Sequence, residues 1–256
     1  MNKSDMALIK CEDIWVALGL LTRLPLPDRT WNEARPAAMA AWAYPVTGLI
    51  VGGIACAIAC ILIALGLPSG MVAAAVLLCL SLLTGAMHED GLADTADGLW
   101  GGTTVERRLE IMKDSHIGAY GVIALIAGFA MRWSALTALL TAGWIWGPII
   151  VAAMTSRQVM SYVMGALPNA RDTGLSNLTG RPCGKAPIVG AAPCLIVILL
   201  AFGISGLLLA FIAAISAFMC IAIARAKIGG QTGDILGATQ LVTEIAILGA
   251  IAALVL

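Results

Sequence analysis

PAAMAAWAYPVTGLIVGGIACAIACILIALGLPSGMVAAAVLLCLSLLTGAM, residues 36–87, contains no Asp, Glu, Lys or Arg. A helix needs roughly 20 apolar residues to cross a bilayer. This run is long enough for two, and Leu67-Pro68-Ser69-Gly70 supplies the turn between them. The pattern recurs along the chain. Residues 117–131 and 135–140 flank Arg132 and Trp133 and form a third span, and 144–167, interrupted by Arg157, a fourth. Residues 186–224 are again free of charge and fold into two spans around 203–206, and 240–256 is a short last span. The expectation is an all-α fold: a polytopic transmembrane helical bundle of about seven spans.

Composition supports this. The 256 residues are 60% hydrophobic and 12% charged, with a mean hydropathy of +0.95. A soluble domain carries roughly 25% charged residues, so a disordered chain, a coiled coil and a soluble enzyme are excluded. Aromatics at 5% argue against an outer-membrane barrel with aromatic girdles. Lys+Arg and Asp+Glu are both 15, so there is no basic field and no nucleic-acid partner is expected. Seven cysteines, with no CxxC pair and only two histidines, form neither a disulfide framework nor a zinc site; Cys56, Cys60, Cys79, Cys194 and Cys220 read as small apolar packers. With no internal repeat or linker, residues 1–256 form a single integral-membrane domain whose partner is the lipid bilayer; a homo-oligomer is compatible with it.

The N-terminus carries Lys3, Lys10, Glu12 and Asp13, and its apolar stretch 14–21 is too short to span, so an interfacial helix is expected rather than a signal peptide. Segments 1–35, 88–116, 168–185 and 225–238 hold almost all the Lys and Arg, whereas the turns at 67–70, 141–143 and 203–206 hold none. The positive-inside rule then puts the charged loops in the cytoplasm and Trp144 and Trp146 in the outer interface belt. Gly48 and Gly52 form a GxxxG pattern suited to close helix contact.

The chemistry concentrates in one place. Seven of the fifteen acids lie between Glu89 and Asp114, with the core His88-Glu89-Asp90-Gly91-Leu92-Ala93-Asp94-Thr95-Ala96-Asp97-Gly98. On a helix, Asp90, Asp94 and Asp97 fall within roughly 60° of one another. Carboxylates so placed repel unless a cation lies between them, and hard oxygens favour Mg²⁺, Mn²⁺ or Ca²⁺. A solvated acidic face is the plain alternative, but no Lys or Arg interleaves this one. Next, Thr103-Thr104-Val105-Glu106 forms a capping box that opens a short amphipathic cytoplasmic helix with Val105, Leu109 and Met112 on one face. Asp114 is a further candidate ligand, and Arg107, Arg108 and Lys113 are candidates for phosphate.

A second polar island, Gly229-Gly230-Gln231-Thr232-Gly233-Asp234-Ile235-Leu236-Gly237-Ala238, offers glycine backbone, Gly230 and Thr232 among it, to a phosphate-bearing substrate, and Asp234 to the acidic site. Arg157, inside an apolar span, is costly unless paired or functional, so it is read as a phosphate or carboxylate partner. The loop 169–185, with Arg171, Arg181 and Lys185, reads as a lid or anion-binding loop. Clustered carboxylates, a divalent cation and arginines at a membrane face point to phosphoryl-group transfer, with a carboxylate or His88 as general base. Two alternatives stand beside this reading: a CDP-alcohol-type lipid phosphotransferase, whose Asp-Gly-x-x-Ala-Arg signature is not met after Asp90-Gly91, and a transporter with an acidic ion site.

The stretches His88 to Gly98, Glu110-Ile-Met-Lys-Asp-Ser-His-Ile-Gly-Ala-Tyr-Gly121 and Gly229 to Ala238 closely resemble the cobalamin synthase family, the adenosylcobinamide-GDP ribazoletransferases. Thr22-Arg-Leu-Pro-Leu-Pro27 and Tyr44-Pro-Val-Thr-Gly48 add to the resemblance, which covers nearly the whole chain; His116 stands where Arg is expected and Gln231 where an aromatic is common. The resemblance implies a Mg²⁺-dependent membrane enzyme of the bacterial inner membrane, its active site facing the cytoplasm. In its reaction a ribose hydroxyl of α-ribazole, or of its 5′-phosphate, attacks the cobinamide-bound phosphate of adenosylcobinamide-GDP, and GMP leaves. By this reading the catalytic candidates are His88, Asp90, Asp94, Asp97 and Asp234. Metal candidates are Glu89, Asp90, Asp94, Asp97 and Asp114, and substrate-binding candidates are Arg107, Lys113, Arg157, Gly230 and Thr232.

Overall fold

The computed structural model describes residues 9–26, 36–182 and 184–256. Lys3, residues 27–35 with the end of the Thr22–Pro27 motif, and Cys183 lie outside the described residues. The chain forms α1 (Glu12–Leu21), a 3₁₀ segment (Ala37–Ala43), α2 (Tyr44–Ala64), α3 (Ser69–Thr84), α4 (Met87–Gly101), α5 (Val105–Ile111), α6 (Ala119–Thr141), α7 (Trp146–Ala166), α8 (Leu175–Thr179), α9 (Ala186–Phe202), α10 (Gly206–Ile228) and α11 (Gly233–Val255).

Seven of these helices, α2, α3, α6, α7, α9, α10 and α11, fall where spans were expected. Length and apolarity support fewer crossings. Four stretches among the described residues qualify: 37–64, 119–141, 233–255 and the 43-residue run 186–228, which holds α9 and α10. A fifth qualifies if α3 and α4, bent by 89° against each other, count as one. The missing member is α7. Thr155, Ser156, Arg157, Gln158 and Ser161 dilute its apolarity, and all five are buried. It is the central post of the bundle, wrapped by other helices rather than by lipid. The GxxxG pattern meets it there: a Cβ on Gly48 would stand 2.4 Å from the Ala153 carbonyl oxygen, and one on Gly52 3.3 Å from the Ala153 Cβ. Only glycine allows α2 and α7 this approach.

α1 lies against the 3₁₀ segment and α2, with Ala17, Leu18 and Leu21 buried and Trp15 48% exposed. Its buried side packs on the bundle, and Trp15 faces outward. Buried Asp13 accepts the Trp42 indole N–H at 2.7 Å and ties α1 to the bundle.

Among the described residues, the charged segments 88–116, 168–185 and 225–238 gather at one end of the bundle. Arg108 donates to the Lys227 carbonyl (2.9 Å), and Arg171 to the Leu109 carbonyl (3.2 Å). The uncharged turns gather at the other end, where Trp144 stacks on Phe202 with ring centroids 6.0 Å apart. α3 and α4 meet at the charged end. Gly85 (φ 64°) and Ala86 (φ 56°) are both left-handed, and the second is the only non-glycine of this kind among the described residues. This strained pair stops the apolar helix and turns its polar continuation sideways.

Candidate active site

α4 carries the acidic motif as a continuous helix. The three aspartates do not share one environment. Asp90 is exposed, Asp94 half-buried and Asp97 8% exposed. Asp97 faces α6: one carboxylate oxygen accepts the Gly118 N–H (2.7 Å) and the other the Gly121 N–H (2.9 Å). A Cβ on either glycine would come within 2.4 Å of that carboxylate. A carboxylate set on free N–H groups at a helix start is favoured by both hydrogen bonding and the helix dipole. Asp97, expected as a metal ligand, is thereby committed to positioning α6 against α4. Asp97→Ala is expected to lower unfolding stability in micelles by about 2 kcal/mol, with Asp97→Asn recovering part of it. An alanine variant as stable as the parent but inactive would return Asp97 to the metal set.

Asp90 and Asp94 open onto a cleft of about 490 Å³, lined also by Glu89, Ala93, Met112, Lys113, Asp114 and Ile117. The linker after α5 thus brings Lys113 and Asp114 over the acidic helix. Burial, then the charges of Asp90 and Asp234, push the Asp94 carboxyl up to about 7; Arg171 pulls the other way. Asp114 accepts a hydrogen bond from His116 (2.7 Å), which holds its carboxyl below the usual range. Thr104, not Thr103, caps α5, accepting the Arg107 N–H at 3.2 Å.

α11 crosses α4 at backbone contact. A Cβ on Gly91 would stand 2.8 Å from the Asp234 carbonyl oxygen and 3.0 Å from the Gly237 Cα, and one on Gly237 3.1 Å from the Met87 carbonyl oxygen. This crossing sets Asp234 beside the acidic helix, as its effect on Asp94 records. Asp234 also pairs with Arg171 (3.3 Å) and accepts the Thr232 hydroxyl (3.1 Å). Thr232 caps α11 by accepting the Ile235 N–H (3.3 Å). The glycine-rich turn is locked to the neighbouring loop: the Gln231 N–H donates to the Pro168 carbonyl (2.8 Å), the Ala170 N–H to the Gln231 carbonyl (2.9 Å), and the Gln231 amide to the Asn169 side chain. A Cβ on Gly230 would stand 2.5 Å from the Pro168 oxygen. Gly230 and Thr232, expected to meet substrate, instead build the turn that aims Asp234.

Three other candidates lie elsewhere. His88 is 2% exposed, has no hydrogen-bond partner among the described residues on either ring nitrogen, and borders a separate cavity of about 40 Å³ with Tyr44, Met164 and Leu236. Arg157 is 1% exposed within α7 and donates to the Ala153 carbonyl (3.0 Å). Arg107 sits on the open face of α5, paired with Glu110 at 2.6 Å. Glu89 borders the cleft, yet one of its oxygens accepts Ser81 (2.7 Å) and meets Arg132 (3.5 Å). Arg132 also meets Glu244 (3.4 Å), which Gln240 holds at 2.6 Å. Among the described residues no three His, Cys, Asp or Glu side chains are placed around one ion.

Sequence reasoning missed Arg132, Glu244 and Gln240. An Arg and a Glu inside apolar runs are the signal that could have found them, since intramembrane charges are kept in pairs. It also left Arg171 as one loop cation among three, without its partner Asp234.

The chain matches the cobalamin-5-phosphate synthase family over residues 13–252. It belongs to that family. The adenosylcobinamide-GDP ribazoletransferase of Bradyrhizobium diazoefficiens is 42% identical over 237 residues, 92% of this chain and 91% of its own length. The proteins of that name from a Sinorhizobium species and from Mesorhizobium japonicum are 40% identical over 258 residues and 41% over 238, covering 94% and 93% of this chain and 96% and 91% of their own. No solved structure matches the chain. Family membership decides among the three readings of the acidic motif, in favour of a transferase of cobalamin biosynthesis over a lipid phosphotransferase or a transporter.

Proposed function

We propose that the chain transfers the adenosylcobinamide-phosphate group of adenosylcobinamide-GDP to a ribose hydroxyl of α-ribazole or its 5′-phosphate, with GMP as the leaving group. The observation that carries this reading is the cleft that joins Asp90 and Asp94 to Lys113, with Asp234 brought alongside by the α4–α11 crossing. In the transfer, the ribose oxygen forms a new P–O bond to the cobinamide phosphate. The hydroxyl proton passes to a carboxylate of this cluster, and the diphosphate P–O bond breaks to release GMP. Lys113 sits where it can offset phosphate charge. His88 has no access to this cleft, so the proton acceptor is a carboxylate.

Magnesium suits these residues. The ion commonly takes one or two carboxylates and completes its shell with waters and substrate phosphates, without a full protein cage. Asp90 and Asp94, with Asp234 near, would hold it, and a cation there would offset the repulsion that Asp90 and Asp234 add to the burial of the Asp94 carboxyl. The ion would supply neutralisation of the diphosphate and of the departing GMP. Lys and Arg at the α4 end support a site facing the cytoplasm from the bacterial inner membrane.

The test is purified protein in lipid, supplied with adenosylcobinamide-GDP and α-ribazole. GMP is expected to appear in step with the cobalamin product, to need Mg²⁺, and to stop with EDTA. Product formation without GMP would sink the transfer, and full turnover in EDTA would sink the metal.

A further inference from the structure

α7, α9 and α10 enclose an apolar groove of about 660 Å³, away from the acidic cleft. It is hollow because short side chains line it: Ala191 and Ala192 on α9, and Ala210, Ala213, Ala214 and Ala217 on α10. Its lips, Ile188 and Phe218, are 65% and 71% exposed. From Ile188 to Ile198 it follows α9 for about 15 Å, the depth of one leaflet's hydrocarbon. Its polar lining is confined to Thr155, Gln158 and Tyr162 on α7.

The charged end of the groove is basic. Arg181 donates to the Gly165 carbonyl (2.7 Å), beside the lining residue Ala166. Lys185 lies one turn beyond Ile188 on α9, and Arg225 one turn beyond Ile221 on α10. All three cations are exposed, and among the described residues none pairs with a carboxylate. Between residues 168 and 233 the only acid is Asp172. We infer that this groove binds one acyl chain of an anionic phospholipid from the leaflet on the α4 side, its headgroup phosphate held by Arg181, Lys185 and Arg225. Basic residues at the membrane surface select anionic lipids, and an acyl chain needs no polar partner in the groove.

The test is electron spin resonance on the full chain in phosphatidylcholine vesicles carrying spin-labelled phosphatidylglycerol or spin-labelled phosphatidylcholine. The expected result is a motionally restricted component that favours phosphatidylglycerol by about fivefold. R181Q/K185Q/R225Q is expected to bring that ratio near one, and A192F/A214F to remove the preferred component by filling the groove. The charge variants change exposed positions and stand as a test even if the phenylalanine variants fail to fold. Equal restriction of both lipids would overturn the site. A preference that survives in folded A192F/A214F would overturn it too, leaving only a diffuse basic surface.

Discussion

Asp94→Asn is expected to lower turnover by about 10³-fold or more and, in the same protein, to raise thermal stability above pH 7. Both effects come from one cause. Burial first, then Asp90 and Asp234, push the Asp94 carboxyl from 3.8 to about 7. The folded chain therefore binds this proton more tightly than the unfolded chain does. Below pH 3.8 both states are protonated and the group contributes nothing. As pH rises from 3.8 to about 7 the unfolded chain ionises first, and the folded state loses stability; above that the full cost remains. Asparagine carries no such cost. Parent and variant are expected to melt together near pH 4 and to diverge at pH 8, the variant higher, in metal-free micelles. Mg²⁺ is expected to raise the parent at pH 8 and leave the variant nearly unmoved. A variant that melts lower at pH 8, or turns over normally, would contradict the role of Asp94 as the focus of uncompensated charge.

Gly91→Val is expected to cost about 10²-fold in turnover while the bundle still assembles. The added Cβ would meet three backbone atoms of α11: the Asp234 carbonyl oxygen at 2.8 Å, the Gly237 Cα at 3.0 Å and the Asp234 Cα at 3.2 Å. Backbone on a packed helix has no rotamer by which to yield, so α4 must lift from α11. A displacement of about 1 Å between reacting groups is enough for a loss of that size. Gly48→Val is the matched control, since it forces an equally close backbone contact between α2 and α7, away from the cleft. Both variants are expected to lose about 1–3 kcal/mol of stability, and only Gly91→Val to lose activity per folded molecule. Equal activity losses would mean that the α4–α11 crossing has no special place in the site.

The helices were legible because the bilayer demands long apolar runs, and charge-free stretches such as 36–87 and 186–224 have no other use. The acidic helix was legible for the opposite reason, since three aspartates at helical spacing have no neighbouring cation. What could not be read was the use of each carboxylate. Asp94 and Asp97 look alike in sequence, but one opens to the cleft and the other is consumed by two α6 amides. That difference depends on where α6 begins in space. The run 144–167 reads as a fourth span because its residues are mostly apolar, yet its buried polar residues are met by partners far along the chain: Gln240 on α11 donates to Ser156 at 3.0 Å, and Gln158 to the Pro187 carbonyl at 2.6 Å. Pairings this far apart in sequence leave no local pattern. Arg157, costly within an apolar run, lies inside α7 rather than at the cleft, and that position follows from the same long-range packing.

Whether Asp94 and Asp234 work as one site is measured most directly by their double-mutant cycle. GMP release in lipid is followed for Asp94→Ala, Asp234→Ala and the double variant. Groups that act as a unit are grossly non-additive. Each single variant is expected to lose most activity, and the double variant to be little worse than either. Losses that multiply, or an Asp234→Ala enzyme that turns over like the parent, would contradict the shared site and leave the acidic helix to act alone.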